Sequence, residues 1–151
     1  MGTKVFMLAL IAIPAMSGLA QKEASKDGKK LWAAISVNDP VYVKGKDGPL
    51  MIHFGLVNDG SKVVDPGIGS TQLFVNGKEL KDWPFTAAQG PQDDRFEALP
   101  PGDSLRFAVD LRRHFQKDGI YKVSWKGDGF ESSQIVFRVI SKDHLPAKLH
   151  K

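Results

Sequence analysis

The chain contains no cysteine, and its 151 residues include only two tyrosines and three tryptophans. Without cysteine the protein cannot form a disulfide, a thiolate metal site or a lipid-modified cysteine anchor. Its folded state must therefore be stabilised by an apolar core alone. Exported small domains often carry disulfides, so a cysteine-free exported domain is more typical of a bacterial envelope protein.

The sequence also lacks an apolar run of about 20 residues, the length that a helix needs to cross a membrane. Its longest apolar run covers residues 5–15, includes Pro14, follows a short basic start and precedes the small residues Gly18 and Ala20. This order is typical of a signal peptide that is cleaved after Ala20, the alternative being an uncleaved amphipathic terminus. We therefore predict a periplasmic or secreted protein without a membrane anchor.

The chain has only a small excess of positive charge. Its 21 basic and 17 acidic side chains give a net charge of +4. Many lysines lie near the two ends of the chain, where we expect solvated tails and not a nucleic-acid surface. The length after cleavage fits one domain. We predict four segments, namely a signal peptide at 1–20, a polar basic linker at 21–30, one domain at 31–141 and a flexible basic tail at 142–151.

The segments that are rich in apolar residues have the period of β-strands. Apolar and polar residues alternate along residues 50–57, 105–111, 121–126 and 134–139, whereas no stretch after the signal peptide has a sustained helical period. We count about eight such segments, within a range of seven to nine, and no crossover helix. The pattern predicts an all-β fold in which two antiparallel sheets form a sandwich.

Glycine, asparagine and proline separate these segments. Asn76 and Gly77 both tolerate positive φ angles and predict a two-residue hairpin turn. Gly102 lies in the sequence Pro-Pro-Gly-Asp, which predicts another chain reversal. Residues 112–119 are expected to form one short helical turn between two strands.

The sequence Asp-Gly-Ile-Tyr-Lys-Val at residues 118–123 is typical of a tyrosine corner. In such a corner, the tyrosine at the start of a late strand hydrogen-bonds back to the preceding loop. Gly119 and Tyr121 are thus predicted to have structural roles. The alternative is that Tyr121 is an ordinary core aromatic.

These motifs support a family resemblance. Residues 99–105, 109–111 and 119–123 resemble the closing half of bacterial extracytoplasmic immunoglobulin-like domains, and the resemblance extends over residues 41–140. The same segments are similar, more weakly, to the intracellular proteinase inhibitor family. The first resemblance implies an immunoglobulin-like sandwich, and the second implies protease inhibition by a surface loop. An export signal departs from the pattern of an intracellular inhibitor.

Residues that support catalysis are few. The sequence has no Gly-x-Ser-x-Gly nucleophile motif and no phosphate-binding glycine loop. Only His53 and His114 lie within the predicted domain, while His144 and His150 fall in the predicted tail. We predict that the protein is not an enzyme; a hydrolase would require His53 or His114 to lie beside a hydroxyl and a carboxylate.

Carboxylates offer the only candidate metal ligands. Asp93 and Asp94 with Asp103, or Asp128 with Glu131, could give oxygen ligands to calcium. Neither set matches an EF-hand loop, and acidic residues in turns commonly serve the turn itself. We therefore predict no metal site and no cofactor.

A partner-binding site is predicted in the segment 81–96, where Trp83 and Phe85 precede a polar stretch that contains Arg95. If the two aromatic side chains point outward, they form an apolar anchor beside Arg95. If they point inward, which we favour, they fill the end of the sandwich.

The leading hypothesis is a non-enzymatic exported domain that binds or organises another envelope or extracellular macromolecule, either a protein or a polymer. The alternative is a protease inhibitor that presents the loop at 86–95. The identity of the ligand and the oligomeric state stay open.

Overall fold

The structure is a computed structural model that describes residues 30–88, 90 and 92–146. Within these residues the strands follow one another as β1 (Leu31–Val37), β2 (Val41–Lys44), β3 (Met51–Asn58), β4 (Gln72–Val75), β5 (Lys78–Glu79), β6 (Ser104–Asp110), β7 (Gly119–Gly127), β8 (Phe130–Glu131) and β9 (Ile135–Ser141). One short α-helix, α1 (Trp83–Ala87), lies between β5 and β6. Four 3-10 turns complete the described elements: Ile68–Ser70, Asp94–Phe96, Arg112–His114 and Lys142–His144.

The strands form two sheets that pack against each other. The first sheet has the order β1-β3-β6 and is antiparallel throughout. The second has the order β2-β9-β7-β4-β5, with β8 paired to β7. Its pairs are antiparallel except that of β2 with β9, which is parallel. The predicted all-β sandwich is confirmed.

Aromatic rings from both sheets meet in the core. Phe54 on β3 lies 5.0 Å from Phe107 on β6 and 5.2 Å from Trp125 on β7, measured between ring centroids. The alternation of apolar residues places these side chains on the inner face of each sheet, as expected for strands with one buried face. The first sheet therefore presents its other face away from the core.

The α-helix α1 packs against the core through Trp83 and is absent from the sequence prediction. Pro84 stands in its first turn, where a missing backbone N–H has no cost. Trp83 is completely buried, its ring centroid lies 4.9 Å from that of Phe54, and its Nε1 donates to Thr71 Oγ1 at 2.9 Å. A helix of five residues is too short to give a periodic pattern in the sequence. Its position follows instead from the packing of Trp83 against Phe54.

The turn residues adopt the conformations that their sequence favours. Asn76 and Gly77 have φ angles of 51° and 80° and connect β4 to β5 as a two-residue hairpin turn. The Tyr121 hydroxyl donates to the Lys117 carbonyl at 2.7 Å, which is the hydrogen bond of a tyrosine corner. The turn and the corner therefore both lie at the end of the β4–β7 pair where Val75 is aligned with Val123.

Other predicted turns lie close to the expected positions. The 3-10 turn Arg112–His114 occupies part of the segment for which a short helical turn was expected. Gly102 has a φ angle of 77° in the turn before β6, and Gly119 is the first residue of β7.

Some predicted segments lie outside the described residues: the signal peptide, all of the linker except Lys30, and the last five residues, which include His150. Among the described residues, no helix is long and apolar enough to span a membrane.

Candidate binding groove

The two aromatic residues predicted to act together point in opposite directions. Trp83 is completely buried, whereas 67% of Phe85 is exposed. The inward arrangement therefore applies to Trp83 and the outward arrangement to Phe85. The buried indole of Trp83 belongs to the core and does not contribute to a surface with Phe85.

Arg95, the charged neighbour in the same prediction, is engaged with its own loop. Its Nη2 lies 2.7 Å from Asp93 Oδ2, its Nη1 donates to the Ser104 carbonyl at 2.9 Å, and Nη1 is 3.8 Å from Asp103 Oδ1. The side-chain hydrogen bond from Arg95 lowers the pKa of Asp93. Arg95 thus connects the 3-10 turn Asp94–Phe96 to the start of β6.

The same contacts bear on the candidate calcium ligands. Asp93 and Asp103 face the Arg95 guanidinium, so a positive charge already neutralises the set that was considered with Asp94. In the part of the chain that the structure describes, no group of three or more histidine, aspartate or glutamate side chains is arranged to hold a metal ion.

The two histidines of the domain lie in different surroundings. His53 is half-buried on the outer face of β3, and its Nε2 atom is buried without a hydrogen-bond partner. His114 Nε2 lies 3.6 Å from Asp82 Oδ2 and accepts from Arg113 Nε at 3.3 Å. Among the described residues, neither imidazole hydrogen-bonds a serine or threonine hydroxyl.

A third histidine, His144, follows β9 and contacts the carboxylate of Asp118, which directly precedes β7. Its Nδ1 lies 2.6 Å from Asp118 Oδ2, and the Ser141 hydroxyl donates to Asp118 Oδ1 at 2.7 Å. Serine and histidine thus both bind the carboxylate, and the hydroxyl is directed at Asp118 instead of the imidazole. This arrangement anchors the 3-10 turn Lys142–His144, which lies in the segment where a flexible tail was expected.

A groove of about 1020 Å³ lies on the outer face of the three-stranded sheet. The pairing register aligns Ala34 on β1 with Gly55 on β3, and Gly55 with Arg106 on β6. Ala108 lies two residues further along β6 on the same face. Because Gly55 has no side chain and its neighbours on β1 and β6 include alanines, the middle of this face lies at the level of the backbone. We call this depression the Gly55 groove.

One end of the Gly55 groove carries an aromatic ring. Trp32 pairs with Val57, and both side chains project from the same face as Gly55. The Trp32 indole Nε1 donates to Asp59 Oδ2 at 3.1 Å, which fixes the orientation of the ring. Val57 is 41% exposed beside it. This end therefore offers a rigid, largely apolar surface.

The rest of the Gly55 groove carries polar groups. His53 pairs with Ser36 on one side and with Ala108 on the other, so its unpartnered Nε2 belongs to this face. Arg106 is exposed and has no carboxylate partner among the described residues. Because the Nε2 atom is itself buried, a molecule in the groove would meet the exposed Arg106 and not this nitrogen.

The outer face of the six-stranded sheet differs from the groove in composition. Lys122 pairs with Val136, and Ile120 pairs with Arg138, so basic and apolar side chains alternate there. Ile120 and Val136 are each about half exposed. Substitutions on this face therefore serve as controls for substitutions in the Gly55 groove.

Comparison of the sequence with protein-family models and with curated proteins finds no match. The assignment of a function therefore rests on the geometry described above.

Proposed function

We propose that the protein is a non-enzymatic, exported, immunoglobulin-like domain that binds another envelope or extracellular macromolecule in the Gly55 groove. The observation that carries this proposal is the groove of about 1020 Å³, which has the aromatic ring of Trp32 at one end and the exposed guanidinium of Arg106 beside Gly55. Binding sites are typically concave and mostly apolar, with a few polar groups that fix orientation. The Gly55 groove has this combination.

The immunoglobulin-like assignment is supported by the order of the strands. The chain changes sheet at every strand from β1 to β4 and again before and after β6, whereas β4–β5 and β7–β9 stay in the second sheet. Strand β2 runs parallel to the final strand β9, which lies beside β7. The hydrogen bond from Tyr121 to Lys117 is a second feature of such domains. One fold hosts unrelated functions through different sites on its surface, so a groove on a sheet face is compatible with this fold.

The shape of the groove favours a macromolecule as ligand. The floor crosses all three strands, which lie about 4.8 Å apart, and the groove is open along the sheet face. An open trough of this kind accommodates one segment of a longer chain, whereas a small molecule is usually enclosed on most sides. The exposed Val57 and the fixed Trp32 ring would contact such a segment.

Gly55→Val tests the groove without disturbing the fold. A Cβ atom at Gly55 would lie 4.0 Å from the Ala34 carbonyl oxygen, whereas at Gly127 it would lie 2.2 Å from Phe130 Cζ. Valine is favourable in strands, and glycine costs roughly 0.5–1 kcal/mol there, so we expect stability to be unchanged or raised. The added side chain fills the groove, and we expect retention of envelope material by the immobilised protein to be lost.

Ser124→Val is the matched control, because it adds apolar volume to the outer face of the other sheet. We expect the immobilised Ser124→Val variant to bind the same polymers and proteins from the envelope as the unsubstituted protein. Equal retention by Gly55→Val and the unsubstituted protein would show that binding takes place elsewhere. Export is tested separately by sequencing the amino terminus of the protein from a cell envelope, where we expect Gln21 as the first residue.

A further inference from the structure

The chemistry of the Gly55 groove, if the proposed binding function holds, identifies a class of ligand. We infer that the groove binds an acidic polysaccharide, in which one sugar ring stacks on Trp32 and a neighbouring carboxylate binds Arg106. The inference rests on three observations: a fixed aromatic face, a guanidinium without a carboxylate partner among the described residues, and polar side chains at the other end of the groove.

The aromatic face is suited to a sugar ring. The hydrogen bond from Trp32 Nε1 to Asp59 Oδ2 leaves the faces of the indole ring without a polar atom that needs a partner. Aromatic rings combine a large apolar face with a polar edge, and they are preferred where a ligand is apolar on one side and hydrated on the other. A pyranose ring has this character, because its C–H bonds project to its faces and its hydroxyls to its edge.

The floor of the groove permits a ring to approach the sheet closely. Gly55 offers open space, and the residues that flank it in the register are Ala34 and Arg106. A ring that stacks on Trp32 and continues over Gly55 would therefore have the small side chain of Ala34 on one side and Arg106, the proposed carboxylate partner, on the other. This path runs along the strands, in which equivalent positions recur about every 6.8 Å.

Arg106 gives the groove its charge preference. Arg95, Arg112 and Arg113 each have an aspartate within 3.5 Å, whereas Arg106 and Arg138 have no such partner among the described residues. Of these two, Arg106 lies on the Gly55 groove. Guanidinium groups bind carboxylates through two parallel hydrogen bonds, which are stronger and more directional than those between neutral groups. A ligand that carries carboxylates thus complements the free charge, whereas a neutral glycan leaves it without a partner.

Polar side chains lie at the other end of the groove. Ser36, Asn38 and His53 line the groove there. A sugar hydroxyl acts both as donor and as acceptor, so it can hydrogen-bond a serine hydroxyl or an asparagine amide. An acyl chain would cover the same side chains without forming hydrogen bonds. This difference favours the polysaccharide over a lipid.

The test is a calorimetric titration of the full chain with tetragalacturonate and, in parallel, with the methyl ester of the same tetramer. We expect saturable binding of the acid and at least about tenfold weaker binding of the neutral ester, because one charged hydrogen-bonded contact is lost. Arg106→Gln should weaken binding of the acid by a similar factor and remove its preference over the ester. Arg138→Gln, on the outer face of the other sheet, should leave both affinities unchanged.

Several results would overturn the inference. These are equal affinities for the acid and the ester, equal effects of Arg106→Gln and Arg138→Gln, or no saturable binding of the acid at millimolar concentration. If the acid does not bind but Gly55→Val still abolishes retention of envelope material, the ligand class is wrong and the binding function stands. If Gly55→Val affects neither experiment, both proposals fail.

Discussion

The buried indole of Trp83 depends on a single side chain for its hydrogen bond. Thr71 Oγ1 accepts from Trp83 Nε1 at 2.9 Å and donates to the Ile68 carbonyl at 2.7 Å. Thr71→Val retains the shape of the side chain but leaves both groups without this partner. We expect a loss of about 1–3 kcal/mol in the free energy of unfolding, measured by chemical denaturation.

Thr71→Ser is the control for this substitution, since serine keeps the hydroxyl and removes only a methyl group. We expect it to lose clearly less stability than Thr71→Val. Equal losses in the two variants would show that packing of the methyl group, and not the hydrogen bond, determines the effect.

At the level of elements, the turn Lys142–His144 is joined to the start of β7 by Asp118. The hydrogen bond from His144 and those from Ser141 lower the pKa of the Asp118 carboxyl well below its usual range. A carboxyl with a lowered pKa contributes stability above the pKa of the unfolded chain, about 3.9, and loses that contribution as the pH falls through the folded value. The turn should therefore stay attached at neutral pH and detach only in strong acid.

Hydrogen exchange at the Leu145 amide, which donates to the Lys142 carbonyl, measures attachment of this turn. We expect its protection to decrease as the pH is lowered below about 4, after correction for the intrinsic exchange rate. Asp118→Asn should show the same decrease at neutral pH, whereas Asp143→Asn, in the same turn, should not. Unchanged protection in Asp118→Asn would contradict the anchoring role of the carboxylate.

The elements also indicate what the sequence was able to predict. Strands β3, β6, β7 and β9 follow from alternation, because one face of each is buried and the period of the side chains is local information. The helix α1 did not follow, since a five-residue helix has no measurable period. Its position depends on the fit of Trp83 against Phe54, which is distant in the sequence.

The Gly55 groove was not predictable for a related reason. The alternation in residues 50–57 put Gly55 and His53 together on a mixed face but did not identify the strands beside them. The groove requires β1 and β6 to flank β3 in one register, so that Ala34 and Ala108 lie near Gly55. This pairing joins strands that are separated by other strands of the opposite sheet, so it is a property of the tertiary fold.

At the level of the whole molecule, the two sheets share one aromatic cluster. Phe54 lies within about 5 Å of Phe107 on its own sheet, Trp125 on the opposite sheet and Trp83 on α1. Since the chain has no disulfide to join the layers, these contacts connect the two sheets and α1. The molecule should accordingly unfold as one unit.

Phe54→Leu tests this cooperative unfolding. Loss of the ring removes contacts to both sheets and to α1, and we expect stability to fall by about 1–3 kcal/mol. Far-ultraviolet dichroism reports the strands, and tryptophan fluorescence reports Trp83 and Trp125 in the core. Because one cluster supports all of these elements, both signals should shift to the same lower midpoint in denaturant.

Phe85→Leu is the control, at a side chain that is 67% exposed, and it should change the free energy of unfolding by less than about 0.5 kcal/mol. Separate midpoints for the two signals in Phe54→Leu would show that the sheets unfold independently and that the aromatic cluster does not connect them.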